Sequence, residues 1–327
     1  GIGLVAWTRD YGGSMGRFTV ELNTDTLRLE IDGRKLASRL EWGARLTGEL
    51  GIANLLVDYF QDGISHPEKG FYASYASAQS WLKLNPIGNV YLHAEVGGRK
   101  WFFHRRSSTE DALVLPSDSW VFEPRLYLTW WGLKDDAGWR ERHRFFPRVR
   151  GVATGIYGGL NLVSAPRRWG ALNNQVFDET DPRNEPESLQ AFVVHWLKAG
   201  WQITRWLRWQ FGEESGWSAG EDDVYRRTIG GLNPYVVTIP GVPWAYFHGG
   251  DYTSFESGVS LRVWGDWEVG PLVAATYLRD VDRRGDETFS GIWGIGGVLD
   301  GRWGQWQVDV RGGYSPALHE RHPQRPG

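Results

Sequence analysis

The sequence predicts an all-β protein, a transmembrane antiparallel up-and-down β-barrel of about 14–18 strands with about 16 as the central count. Three observations predict it. Apolar and polar residues alternate with a period of two along stretch after stretch, the links between those stretches alternate between short and long, and aromatic residues are abundant, with 20 Trp among 327 residues. A period of two is the mark of an extended strand with one oily and one wet face. Tryptophan at this abundance argues against a disordered chain and suits a protein that crosses a membrane interface.

The alternation comes first, because it decides which way the oily face points. Leu27, Leu29 and Ile31 alternate with Arg28, Glu30 and Asp32; Leu40, Trp42, Ala44 and Leu46 alternate with Glu41, Arg45 and Thr47. Val90, Leu92, Ala94 and Val96 oppose His93 and Glu95; Trp306, Val308 and Val310 oppose Asp309 and Arg311. A dry core has no place for the polar set Arg28, Glu30, Glu41, Arg45, Glu49, Glu95, Arg262, Asp309 and Arg311, since buried charges need water or partners. A hydrated lumen supplies both, so these nine are the candidate lumen-lining residues and the oily parity faces lipid.

Strands are expected near 3–9, 16–23, 26–32, 37–49, 53–61, 71–84, 89–103, 119–132, 139–163, 189–198, 201–212, 253–264, 267–279, 289–299 and 304–314. Short hairpins are read at Thr24-Asp25, Leu50-Gly51-Ile52, Asn85 to Gly88, Ala199-Gly200, Gly265-Asp266 and Asp300-Gly301. Longer links are read at 62–70, 104–118, 164–188, 213–252 and 280–288. Pro124 sits within a strand and predicts a bulge, because proline cannot donate to a ladder. Ser188 to Gly200 carries helical spacing in Leu189, Phe192, Val193, Trp196 and Leu197, yet is read as a strand leading into the alternating Trp201 to Phe211. Stretches 272–278 and 292–299 are small or apolar on both parities and cannot be oriented. One barrel domain is expected over 1–314, with 315–327 a polar tail or a loop before a missing strand. This strand count leaves the last strand ending on the long-loop side, so either a closing strand is missing or the count is off by one.

Bulk properties narrow the function. A net charge of -3 gives no reason to expect nucleic acid as a partner. With 0 Cys there are no disulfides, thiolate metal sites or cysteine nucleophiles. No stretch approaches the roughly 18–20 apolar residues of a membrane helix, and a mean hydropathy of -0.43 is compatible with a barrel whose alternate residues alone meet lipid. The chain opens at Gly1 without an apolar leader, so a secretory signal is expected to have been removed or not included.

Few constellations carry chemistry. Arg140, Arg142, Arg144, Arg148 and Arg150, with His143 between them, form a basic run suited either to phosphates of lipopolysaccharide or another anion, or to a solvated strand rim. Asp178, Glu179, Asp181, Asn184 and Glu185 offer calcium-type oxygens without EF-hand spacing, and His319 and His322 lack a third zinc ligand. Gly294 to Gly297 lacks the Lys of a phosphate loop. No linear nucleophile motif is present, so no catalytic residue, metal site or cofactor is assigned.

The alternation, aromatic content and turn-loop asymmetry resemble Gram-negative outer-membrane β-barrel proteins over most of the chain. A more limited likeness is to the Omp85 superfamily of assembly and secretion barrels, carried by Val149-Arg150-Gly151 and Gly230-Gly231-Leu232-Asn233-Pro234-Tyr235. That resemblance implies 16 strands and a long inward loop with an Arg-Gly-aromatic motif; Val152 stands here in the aromatic position. The expectation is a bacterial outer-membrane barrel with porin-like passage of small polar solutes, or a structural and docking role in an envelope complex. Outer-membrane lipid and lipopolysaccharide are its expected partners. The alternatives are a lipid-modifying enzyme, an Omp85-like assembly or secretion barrel, and a soluble β-rich carbohydrate-binding module.

Overall fold

The computed structural model describes residues 4–8, 17–22, 26–49, 55–61, 64–132, 134–135, 149–166, 169–170, 172–173, 176–177, 187–220, 227–229, 239–240, 247–249, 251–265, 267–281, 287–303 and 306–316. Its strands are β1 (Leu4–Thr8), β2 (Arg17–Leu22), β3 (Thr26–Ala37), β4 (Leu40–Glu49), β5 (Leu55–Gln61), β6 (Ile64–Ile87) and β7 (Val90–His104). There follow β8 (Trp120–Trp131), β9 (Lys134–Asp135), β10 (Val149–Val163), β11 (Leu172–Asn173), β12 (Val176–Phe177), β13 (Leu189–Gln202) and β14 (Leu207–Ala219). The remainder are β15 (Arg227–Ile229), β16 (Phe247–Gly249), β17 (Tyr252–Trp264), β18 (Trp267–Val281), β19 (Glu287–Trp303) and β20 (Trp306–Tyr314).

One sheet of 16 strands contains the wall, and its continuous antiparallel path runs β1-β2-β3-β4-β6-β7-β8-β10-β13-β14-β17-β18-β19-β20, with β5 and β9 paired off that path. Every step joins strands that follow one another along the chain, the up-and-down plan that the alternation predicts. No pairing joins β1 to β20 among the described residues.

The register explains the odd strand count of the sequence reading. Gly48 of β4 pairs with Ala76 of β6, and Leu55 of β5 pairs with Ala73 of the same strand. β4 and β5 therefore run in line along one edge of β6, and the expected hairpin at Leu50-Gly51-Ile52 is an interruption within one line. The true hairpin lies past it, where Gln61 pairs with Ile64, inside the segment expected as a long link. Other boundaries move for similar reasons. Ala199 and Gly200 lie within β13, paired with Val152 and Gly151, and the chain turns only at 203–206, where the Leu207 carbonyl accepts from the Ile203 amide at 3.0 Å. Asp300 and Gly301 lie within β19, which turns after Trp303. Leu189 to Gly200 is strand, as expected for this segment.

Pro124 does not bulge. It pairs with Val96 in unbroken register; on its other side the ladder to β10 lapses between Gly159↔Arg125 and Leu162↔Phe122 and resumes in the same register. The proline simply leaves its missing donor on that side.

Burial confirms the oily parity as the outer one. Along β8 the side chains of Trp120, Phe122, Leu126, Leu128 and Trp130 are exposed while Val121 and Glu123 are buried. Trp120 and Trp130 bracket the aliphatic part, and their separation of about 34 Å along a strand tilted by about 40° spans about 26 Å, the height of a lipid-facing apolar band. Trp201, Trp206 and Trp264 stand exposed at the same end as Trp130, and Trp217, Tyr277 and Tyr314 at the end of Trp120. These are two aromatic belts.

The end holding the turns 38–39, 88–89, 203–206 and 265–266 is the short-turn end. The opposite end carries the connections 105–119, 164–188 and 220–251. The strict alternation in length is not kept: the short links 23–25 and 62–63 fall at the long-loop end, and the long connection from β8 to β10 at the other. Some of the long connections fold inward. Leu113 and Trp169 are both 1% exposed and pack with Phe71, Trp101, Phe103, Val121 and Val163 on the inner wall, tied by paired amide and carbonyl bonds between Val114 and Gly170. Phe71 meets Trp169 edge-on at 5.5 Å. Trp169→Ala should release this cap and cost about 3 kcal/mol, with denaturation followed by tryptophan fluorescence as the measurement; an unchanged midpoint would show that the cap adds no stability.

Candidate functional site: the charged inner wall

On β18 and β19 the wall orients the two stretches that sequence could not. Leu272, Ala274, Thr276 and Leu278 face inward, as does Ile292, while Val273, Tyr277, Trp293 and Ile295 face out. The inner side is small or apolar here because a loop covers it: a Cβ on Gly294 would lie 1.9 Å from the Pro240 carbonyl oxygen and 3.3 Å from Ile239. Ile239 itself is fully buried. Glycine at 294 is thus required by a close approach of backbone to backbone within the barrel.

Elsewhere the inner wall is charged. Glu30 on β3 sits between Arg28 and Arg45: Arg45 Nε donates to its Oε2 at 2.8 Å, Arg28 Nε at 3.0 Å, and Arg28 also reaches it through its Nη2. Arg45 extends to Gln79 Oε1 at 3.4 Å and lies over the Trp81 ring at 5.3 Å. On β7 and β8, Glu123 is 2% exposed and lies between Arg125 at 3.2 Å and Arg99 at 3.5 Å. Arg99 also covers Tyr75 at 4.7 Å. A third pair, Arg208 with Glu268 at 3.5 Å, joins β14 to β18 across the neighbouring β17, where Ser260 donates to the same Glu268 oxygen at 3.1 Å.

Rings run between these charges. His93 stacks on Tyr127 at 4.7 Å, Tyr127 on Tyr157 at 5.1 Å, and Tyr157 meets Phe192 edge-on at 6.1 Å, one ring from each of four adjacent strands. Strand registry places them in line across the wall. Toward the short-turn end, Glu30, Arg45, Trp81, His93, Tyr127 and Trp196 are among the residues lining a cavity of about 410 Å³.

Of the nine residues expected in the lumen, Arg28, Glu30 and Arg45 meet in one network. Glu49 is 9% exposed at the opposite end of β4 from Glu41, whose backbone pairs with Lys83. Glu95 faces inward beside His93 and opposite Arg125 in register. Arg262 is exposed near the β17–β18 turn, opposite Glu268 in register and away from the central wall. Asp309 and Arg311 pair through their backbones with Asp300 and Val298, and their side chains lie outside the described residues. Arg150 is exposed at the start of β10, at the short-turn end; Arg140, Arg142, Arg144 and Arg148 lie outside the described residues, as do Asp178 to Glu185 and both His319 and His322.

Sequence reasoning missed Glu123, Arg125 and Arg99 as a cluster, although Glu123 and Arg125 flank Pro124 on the parity opposite to Trp120, Phe122 and Leu126. Their meeting with Arg99 depends on the β7–β8 register, which no local pattern fixes.

No family model matches the chain, and no curated protein matches it. Among solved structures, the crystal structure of BamA from Haemophilus ducreyi lacking POTRA domains 1–3 aligns with a TM-score of 0.64 at 10% identity, over 96% of this chain and 63% of that one. The fold is similar to that of BamA. At this identity the likeness concerns the fold, and the chain spans under two thirds of the matched structure. It agrees with the register and burial in giving an outer-membrane type of β-barrel architecture, with the lipid-facing and lumen-facing parities as described.

Proposed function

We propose that the chain is a bacterial outer-membrane β-barrel that passes small polar solutes along a charged, aromatic-lined inner wall, under the control of loops folded onto that wall. The observation that carries the reading is the inversion of polarity: Glu30, Glu123, Arg208, Glu268 and Asp300 are buried on the inner side while leucines and tryptophans stand exposed outside. Paired charges of both signs and stacked rings suit solutes with hydroxyl groups and flat apolar faces better than a single-sign ion. Lipid phosphates at the short-turn rim are the anionic groups within reach of Arg150, and the same contact is proposed for Arg140, Arg142, Arg144 and Arg148 in the connection that precedes it.

Reconstitution in a planar bilayer tests this. The intact chain should give small ohmic steps, shortening of 230–246 should enlarge them by removing the segment that covers Gly294, and Arg45→Glu should shift ion preference toward cations. Folded insertion that stays silent both before and after the loop is shortened would overturn the conduit.

The likeness to BamA favours a second reading, an assembly-type barrel handling polypeptides. Its experiment is crosslinking from β1 and β20 to envelope proteins in cells, with capture of unfolded barrel precursors as the supporting outcome.

A further inference from the structure

A group of polar side chains on the apolar parity of the outer wall makes mutual contact, with Thr154, His195 and Glu213 at its centre. Thr154 on β10, His195 on β13 and Glu213 on β14 all belong to the set that faces lipid: Thr154 is on the parity of Ile156 and Leu160, His195 on that of Val193, and Glu213 on that of Trp217. The register pairs Thr154 with Leu197, Leu197 with Glu213 and His195 with Ile156, so the three stand as diagonal neighbours on adjacent strands. His195 Nδ1 lies 2.8 Å from Glu213 Oε2, and His195 Nε2 lies 3.1 Å from Thr154 Oγ1. The imidazole keeps 40% of its side-chain surface exposed, whereas Glu213 keeps 14%. Ser215 Oγ, two residues along the same face of β14, donates to the other oxygen of Glu213 and stands 3.1 Å from Thr253 Oγ1.

An ionisable pair on a lipid-facing surface is costly, and such residues mark functional positions. Here the order hydroxyl, imidazole, carboxylate is that of an activated nucleophile, its base and the group that orients the base. With Glu213 taking the Nδ1 proton in a hydrogen bond, the Nε2 lone pair points at Thr154. In this structure the Thr154 hydroxyl also donates to the Trp196 carbonyl at 2.9 Å, and a rotation about its Cβ–Oγ bond transfers that hydrogen to Nε2. Ile156 and Val193 flank the site with exposed aliphatic surface, and Trp217 and Phe255 lie on the far side of Glu213, a surface fitted to acyl chains.

We propose that Thr154, His195 and Glu213 form a membrane-facing acyl-ester hydrolase site whose substrate class is the ester-linked lipid of the surrounding bilayer. Thr154 Oγ1 attacks the ester carbonyl carbon while Nε2 of His195 takes its proton. The bond from that carbon to the glycerol oxygen breaks, and the imidazolium returns the proton to the departing lysolipid. Water, deprotonated by Nε2, then attacks the acyl-threonine and releases a fatty acid, restoring the hydroxyl. The net change is one ester and one water to one acid and one alcohol. This inference rests on the membrane-spanning reading of the outer wall and is independent of whether the lumen conducts.

The test uses the full chain in detergent micelles with p-nitrophenyl laurate as the turnover probe and a long-chain fluorophosphonate as the covalent probe, mapped by peptide mass spectrometry. Wild type should hydrolyse the ester and carry the adduct on Thr154. Thr154→Val and His195→Ala should each lose about 1,000-fold in turnover, and Glu213→Gln a smaller factor with the adduct still formed slowly. A gel mobility shift on heating reports barrel folding for every variant, and Thr154→Ser, which keeps the hydroxyl, should retain turnover. A folded wild-type barrel with neither turnover nor adduct, or a Thr154→Val variant as active as wild type, overturns the site. A chain that remains soluble without detergent and binds no vesicles would instead overturn the membrane reading beneath it.

Discussion

Leu126→Arg is expected to destabilise the inserted barrel by about 2–4 kcal/mol, the cost of a guanidinium near the middle of the lipid-facing band. Leu126 is 54% exposed on the outer wall, midway between the belts marked by Trp120 and Trp130. Leu92→Arg, closer to the short-turn belt, should cost less, and Leu261→Arg, two pairs from the β17–β18 turn, should fall to about 0–1 kcal/mol. An inward change on the same strand, Thr129→Arg, meets the hydrated wall and should be milder than Leu126→Arg. Refolding into liposomes with a denaturant titration measures all four, and a depth-independent or parity-independent result would refute the outward-oily wall.

Glu123→Gln is expected to cost about 2–3 kcal/mol by leaving the Arg99 and Arg125 guanidiniums facing each other without the carboxylate between them. The figure is set below that of a fully buried pair because each arginine retains 22% of its side-chain surface. Arg99→Gln in the Glu123→Gln background should recover part of the loss, since it removes one of the two opposed charges. The same titration checks it; a double variant less stable than the sum of the single ones would mean that Arg99 contributes through Tyr75 and Trp101 more than through charge.

The parity of the wall was legible because it is local: a strand's two faces are written in consecutive residues such as Leu92, His93, Ala94 and Glu95. The strand count was not, because Leu50-Gly51-Ile52 has the composition of a hairpin, and only pairing of both flanking strands with β6 shows that the chain keeps its direction there. Ala199-Gly200 misled for the same reason. The unreadable faces of 272–278 and 292–299 had a tertiary cause, since Leu272 and Val298 meet inside the wall and Ile239 and Pro240 cover Gly294 and Gly296. Within the charged wall, partnership was not legible: Glu30 and Arg45 were both expected in the lumen, but their contact depends on the β3–β4 register. Thr154, His195 and Glu213 left a signal that was available in principle, as polar residues on an apolar parity, though each alone looks like an imperfection in a strand.

β6 carries a mechanical consequence. At 24 residues it is the longest strand of the wall, about 80 Å of backbone at about 3.3 Å per residue, roughly twice what a strand tilted by about 45° needs to cross a 30 Å hydrocarbon layer. Its neighbour β7 lets go at the pair Tyr72↔His104, so beyond it β5 is the strand that accompanies β6 among the described residues, with the loop cap touching its base at Gly70 and Phe71. The barrel thus carries a two-stranded blade beyond the bilayer on the side of the long loops, continuous with the wall through backbone hydrogen bonds. A load applied to that blade would reach β4 and β7 through their ladders to β6, the three strands that hold Arg45, Trp81 and His93, whereas the same load on a loop would first extend the loop.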